Sequence, residues 1–194
     1  MININGTISN DTESNLSIFN RGFAYGDAVF ETVKVSNGKL LFWEDHYFRL
    51  MASMRIMRMD IPMNFTMEFL EAEILKTIEA NDLLNTSARV RLNVDRGEGG
   101  KYLPDETSKV AFNVIAETFD EPFYSVKEGQ TYEVDLYKDF FIAPGLLSGL
   151  KNNNKAIQVM GSIYAKENDL ENCLVLNTNK SVIEALNGNL FLVK

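Results

Sequence analysis

NRGFAYGDAVFETVKV, residues 20–35, is the stretch from which the rest of the chain can be read. Its second half, AVFETVKV (28–35), is a run of β-branched and aromatic residues and reads as a strand. The run ends at SNGK (36–39), where Asn37-Gly38 suits the positive φ angles of a tight turn. LLFW (40–43) then supplies a returning strand, so a hairpin is predicted. Immediately beyond, EDHYFRLMASMRIMRM (44–59) switches to a helical period. Tyr47, Leu50, Met51, Met54 and Met57 recur at three and four, and Pro62 is expected to stop the helix.

Working outward, NFTMEFLEAEILKTIEAND (64–82) is a second amphipathic helix, capped by Asn64 or Thr66. ARVRLNV (88–94) alternates as a strand and KVAFNVIA (109–116) is another. ETFDEPFYSVKEGQ (117–130) is acidic, holds a proline and a glycine, and breaks the pattern, as a linker between two units does. Past it, TYEVDLY (131–137) reads as a strand. AIQVMGSIYAKEN (156–168) reads as a helix with Ile157, Met160, Ile163 and Tyr164 on its apolar side. CLVLN, SVIEA and NLFLV complete the chain as short strands, with no closing element after LFLVK.

The totals narrow the function. The 194 residues are 45% hydrophobic and 24% charged, enough to bury a core in one domain or two small ones. A formal net charge of −8 argues against a nucleic-acid partner. No apolar run approaches the ~20 residues that span a membrane, and MININGTISND lacks a secretory pattern, so a cytoplasmic α/β protein is expected. The single cysteine, Cys173, allows no internal disulfide and reads as a small buried hydrophobe. The methionines at 51, 54, 57 and 59 read as core. His46 is the only histidine, no serine sits in a G-x-S-x-G elbow, and no metal-ligand spacing occurs. RGEGG (96–100) follows a strand without opening a helix, so it reads as a flexible hairpin or active-site loop rather than a phosphate cradle.

NRGFAYGDAVFETVKV together with EDHYFRLMAS (44–53) resembles the opening of the class IV aminotransferases, the fold-type-IV pyridoxal-phosphate enzymes. That family includes branched-chain and D-amino acid aminotransferases and aminodeoxychorismate lyase. Its pattern, R-G-x-x-Y/F-G-D-x-x-F-E-T and then H-x-x-R-L, is matched by Arg21, Gly22, Tyr25, Gly26, Asp27, Phe30, Glu31 and Thr32, then His46, Arg49 and Leu50. GLK (149–151) and EALNGNLF (184–191) match the family's later motifs in the same order.

The resemblance implies an α+β, two-domain fold-type-IV enzyme, D-amino acid aminotransferase-like. Residues 1–118 would form the N-terminal domain, and 119–194 an incomplete start of the C-terminal, cofactor-binding one. It implies pyridoxal 5'-phosphate as cofactor, a small amino compound as substrate and a homodimer. Lys151 is the implied Schiff-base lysine, whose amine must be neutral to attack and then shuttles the Cα proton. Glu184 would face the pyridine nitrogen and Arg49 would bind the phosphate. Asn189 belongs to the cofactor set, and Phe30, Arg96 and Lys101 to the substrate set. Lys155 is the alternative lysine. The 33 residues from Lys151 to Glu184 fit the family interval, whereas 29 from Lys155 is short.

Departures from the pattern bear on activity. Ala156 stands where branched-chain enzymes carry a tyrosine, and RGEGGKYLP lacks the histidine of the D-amino acid enzymes. RVRLNVDRGEGGKY resembles aminodeoxychorismate lyases instead. Transamination is the first expectation, lyase chemistry the alternative, and an inactive relative the third. The family's C-terminal phosphate-binding turn has no match here, so a fragment or a reduced variant that holds phosphate incompletely is expected.

Overall fold

The computed structural model describes residues 1–119, 129 and 131–193. The chain divides into two compact units. One comprises Met1–Tyr124 with Lys151–Asn153, and the other Ser125–Leu150 with Asn154–Lys194.

The first unit is an antiparallel sheet covered on one face by helices. Its strands are β1 (Ile2–Ile4), β2 (Thr7–Ser9), β3 (Ala28–Ser36), β4 (Lys39–Leu40), β5 (Ser87–Asp95) and β6 (Ala111–Thr118), in the order β2-β1-β6-β5-β3-β4. Because side chains alternate across a strand, Val29, Val33 and Val35 of β3 share one face with Val90, Leu92 and Val94 of β5 and Phe112 and Val114 of β6. Helices α2 (Trp43–Ile56) and α3 (Met67–Glu79) bury Leu50, Met51, Met54, Leu70, Ile74 and Ile78 in that same core. Each such fully buried side chain contributes about 1.5–3 kcal/mol of hydrophobic stabilisation. Met51, Met54 and Met59 are buried and Met57 packs on the cluster, so the methionine stripe is core. A short helix, α1 (Arg21–Tyr25), is capped by Asn20, which accepts the N–H of Phe23.

Several element ends differ from the sequence reading. Of the expected returning strand LLFW only Leu40 lies in the strand paired with β3, together with Lys39 from the expected turn. Phe42 adopts a left-handed φ of 55°, which turns the chain so that Trp43 already begins α2. That helix ends at Ile56 rather than at Pro62, because Arg58 is again left-handed, at φ 55°. Thr66, not Asn64, caps α3 by accepting the N–H of Phe69. Of the expected linker, Glu117 and Thr118 belong to β6, and residues 120–128 and 130 lie outside the described residues.

The second unit holds β7 (Val134–Ile142), α4 (Ala156–Glu167), β8 (Asn172–Asn177) and β9 (Val182–Ala185). β7 runs parallel to β8, and β9 antiparallel to β8. Cys173 is fully buried beside Tyr137 and Ala165. Met160 and Ile163 were expected on the apolar side of α4 but are exposed. Ile157 and Tyr164 pack on the core as expected, alongside the small Gly161 and Ala165, and the Leu186 side chain fills the space over Gly161. The expected strand NLFLV is corrected: residues 190–193 form no regular structure, and Phe191, Leu192 and Val193 are exposed.

Candidate active site

Consecutive residues of β3 face opposite ways, and each organises one cluster of polar groups in the first unit. Phe30 lies on the sheet face away from the helices. Residues 151–153 run antiparallel along the N-terminal end of β3. The Phe30 N–H donates to the Lys151 carbonyl at 2.8 Å, and the Asn153 N–H donates to the Ala28 carbonyl at 3.1 Å. That pairing places Lys151 directly across from Phe30, its Nζ 5.1 Å from the ring centroid. The Arg91 guanidinium of β5 stacks on the same ring at 3.9 Å. Arg91 Nη2 donates to Asn153 Oδ1 at 3.0 Å, and Asn153 Nδ2 donates to Asn93 Oδ1 at 2.9 Å. Burial, with the like charge of Arg89, pushes the Arg91 guanidinium below the ordinary arginine value. Among the described residues no carboxylate pairs with Arg91. A half-buried cation with unused donors is a receptor for an anion.

The three asparagines after Lys151 thus have distinct places. Asn152 is buried in the bridge opposite Val29, and Asn153 ties the segment to β5 through two side-chain bonds. Asn154 is exposed. Lys155 is the N-cap residue of α4, consistent with a residue at the mouth of the next helix.

Glu31 faces the helices, on the side of Val29 and Val33. Its side chain is about 1% exposed, yet it is fully partnered from α2. Arg49 Nε donates to Glu31 Oε1 at 2.7 Å and Arg49 Nη2 to Oε2 at 2.5 Å. His46 Nδ1 lies 2.8 Å from Oε2. Burial raises the Glu31 pKa, but the bonds from His46 and Arg49 outweigh it and hold the carboxyl below its ordinary value. The ionised carboxylate can only accept, so His46 carries its proton on Nδ1. The same pairing raises the Arg49 pKa. The Nε/Nη2 edge of Arg49 is therefore engaged by Glu31. His46 Nδ1 also lies 3.2 Å from Arg49 Nη2, but with its proton turned to Glu31 it accepts nothing from the guanidinium. The side chain remains about 47% exposed, and its other edge, Nη1 with the outer hydrogen of Nη2, offers two donors in one plane. That edge fits one oxyanion, such as a phosphate.

The remaining expected residues fall in three places. Glu184 is half-buried on β9, where Gln158 Nε2 of α4 donates to its Oε1 at 2.8 Å. Asn189 is exposed beyond β9. Arg96 is engaged as a strut: Nε donates to Asp27 at 2.9 Å, and the Nη atoms reach the carbonyls of Met57 and Arg58. Lys101 is exposed, and its carbonyl is one of three, with Gly99 and Tyr102, that accept from the buried Arg21. The glycine-rich loop is thus held in shape by Arg21, which Asp27 anchors in turn at 2.9 Å.

Reasoning from sequence missed Arg91, Asn93, Asn153 and the partnership of Glu31 with Arg49. Alternation in ARVRLNV did put Arg91 and Asn93 on one face, but nothing local said that residues 151–153 would lie across from it. No helix among the described residues is long and apolar enough to cross a membrane.

Known proteins resemble this chain in sequence and in fold. The aminodeoxychorismate lyase of Vibrio harveyi is 25% identical over 94% of this chain, which covers 65% of the relative. The crystal structure of the Escherichia coli branched-chain amino acid aminotransferase superposes with a TM-score of 0.81 at 18% identity, over 95% of this chain and 62% of that one. The 4-amino-4-deoxychorismate lyase of Pseudomonas aeruginosa superposes with a TM-score of 0.74 at 25% identity, over 96% and 64%. The chain spans just under two thirds of the length of each. The fold is that of the fold-type-IV enzymes, and residues 28–194 match the amino-transferase class IV family, to which this chain belongs.

Proposed function

We propose that this chain carries the catalytic lysine and phosphate-binding arginine of a pyridoxal 5'-phosphate-dependent aminotransferase acting on a small amino compound. The observation that carries this reading is the seating of Lys151 across from Phe30 on β3, beside a cationic Arg91. When bound, pyridoxal phosphate supplies an electron sink for the carbon that bears the substrate's amino group.

The chain's own residues would do the rest. Arg49 would hold phosphate oxygens with its outer edge, and Glu184 would pair with the ring nitrogen. Asn189 lies in the same motif as Glu184. Lys151 Nζ would attach the cofactor's aldehyde, then take a proton from the substrate carbon and return one. Phe30 would wall the substrate, and Arg91 would receive its carboxylate. Arg96 and Lys101 would contribute through the loop that Arg21 holds. A homodimer belongs to the same reading, on the strength of the family resemblance.

A second reading, aminodeoxychorismate lyase, is favoured by the RGEGGK stretch and by the 25% identity to two such lyases. Proton handling at Lys151 serves both. Pyruvate release from aminodeoxychorismate supports the lyase, and keto-acid-dependent amino transfer supports the aminotransferase.

The test of the lysine is chemical. Incubation with pyridoxal phosphate, borohydride reduction and peptide mapping should place one label on Lys151. A label on Lys155 would move the assignment, and no label would remove the enzyme reading.

A further inference from the structure

We infer that Glu31 and His46 are positioning residues for anion binding, presetting the outer edge of Arg49 for the phosphate. This rests on the proposed role of Arg49 in binding the cofactor's phosphate. It adds a device that the motif match does not assign, built from one strand residue and one turn of helix.

An arginine on a half-exposed helix face ordinarily samples many rotamers, and fixing it on binding costs about 2 kcal/mol of side-chain entropy. Here that freedom is already removed. Two parallel bonds to Glu31, at 2.7 and 2.5 Å, lock the plane of the guanidinium. Glu31 is itself locked, because it is buried on a central strand and His46 Nδ1 holds the oxygen it shares with Nη2. The planar guanidinium then has a single remaining fork, and its direction follows from the pairing.

A rival account makes the opposite prediction. A carboxylate behind the guanidinium also cancels part of its positive field. If Glu31 were only a counter-charge, removing it would strengthen the attraction for a dianion. If Glu31 positions Arg49, removing it weakens binding although the net charge becomes more positive. The sign of the change therefore decides between orientation and charge.

The experiment compares the affinity of the 194-residue chain for pyridoxal 5'-phosphate with that for pyridoxal, which lacks the phosphate, by absorbance titration. The ratio of the two reports the phosphate contact alone, since loss of folded protein weakens both equally. Arg49→Gln should collapse the ratio; if it does not, the reading of Arg49 itself fails. Given that collapse, Glu31→Gln and His46→Gln should each lower the ratio, Glu31→Gln by about tenfold, the order seen when groups that orient a ligand's direct contacts are removed. His46 is a surface-reaching helix residue, so its variant keeps the test open if Glu31→Gln folds poorly. An unchanged or increased ratio in a folded Glu31 or His46 variant overturns the inference while leaving Arg49 in place.

Discussion

Glu31 shows how a single residue can look out of place in a sequence and be required in the structure. In AVFETVKV it shares the parity of Val29 and Val33, so a charge is put on the apolar face of a strand. Only His46 and Arg49 from α2 make that tolerable, since an unpaired buried carboxylate would cost several kcal/mol. This has a pH consequence with a definite sign. The folded-state pKa lies below the ordinary glutamate value of 4.5, so the folded state releases the proton more readily than the unfolded state. The stabilisation is present above that ordinary value and is lost as pH falls through the folded pKa. Urea unfolding of the parent chain should therefore show stability declining as pH drops below about 4.5. In Glu31→Gln the decline should be shallower and should start from a lower stability at neutral pH. Equal acid dependence in the two proteins would mean that Glu31 is not the ionised hub described here. The motif match singles out Arg49 and Lys151 as candidates. The pairing of Glu31 was not, because its partners arrive from another element.

At the scale of elements, what the sequence reveals depends on whether the controlling signal is periodic or conformational. α2 and α3 were readable because their apolar residues recur every three or four positions. Their ends were not, because Phe42 and Arg58 take left-handed backbone angles that their residue types do not advertise. The apolar stripe of α4 held for Ile157 and Tyr164, which pack on the core, but failed for Met160 and Ile163, because close packing against Leu186 puts the small Gly161 on the inward face. The RGEGG loop reads as a flexible hairpin or active-site loop, yet the Arg21 side chain holds its Gly99 carbonyl and those of Lys101 and Tyr102 just beyond, and the Arg21 N–H donates to Gly97 O. Gly97 has φ 65°, and a Cβ there would lie 2.5 Å from the Lys109 carbonyl oxygen. Gly97→Ala combines left-handed strain with a backbone clash, so it should lower stability by about 1–3 kcal/mol. A shift of the urea midpoint at unchanged m-value would register it. An unchanged midpoint would show that the loop is not held as described.

At the scale of the whole molecule, the distribution of core decides how the chain should open. The first unit has one continuous cluster spanning β3, β5, β6, α2 and α3, whereas the second is organised around Tyr137, Ala165 and Cys173. Cooperative opening free energies follow buried apolar contact, so amides of β3 and β5 should exchange only through the largest openings, and those of α4 and β8 through smaller ones. Residues 151–153 make this prediction sharper. In sequence they stand three positions before α4, but their backbone bonds run to Ala28 and Phe30 of β3. No local pattern in LSGLKNNNKAIQ reveals this, because a three-residue strand pairing is too short to carry a period and its partner lies far back in the chain. If the pairing holds, the Asn153 amide should be protected to the same degree as β3, despite its nearness in sequence to α4. Native-state hydrogen exchange with residue resolution measures both. Raising urea modestly should speed exchange along α4 while leaving Asn153 and Phe30 slow. Should Asn153 exchange together with α4 instead, Lys151 is not anchored to β3 in solution, and its seating across from Phe30 loses its structural basis.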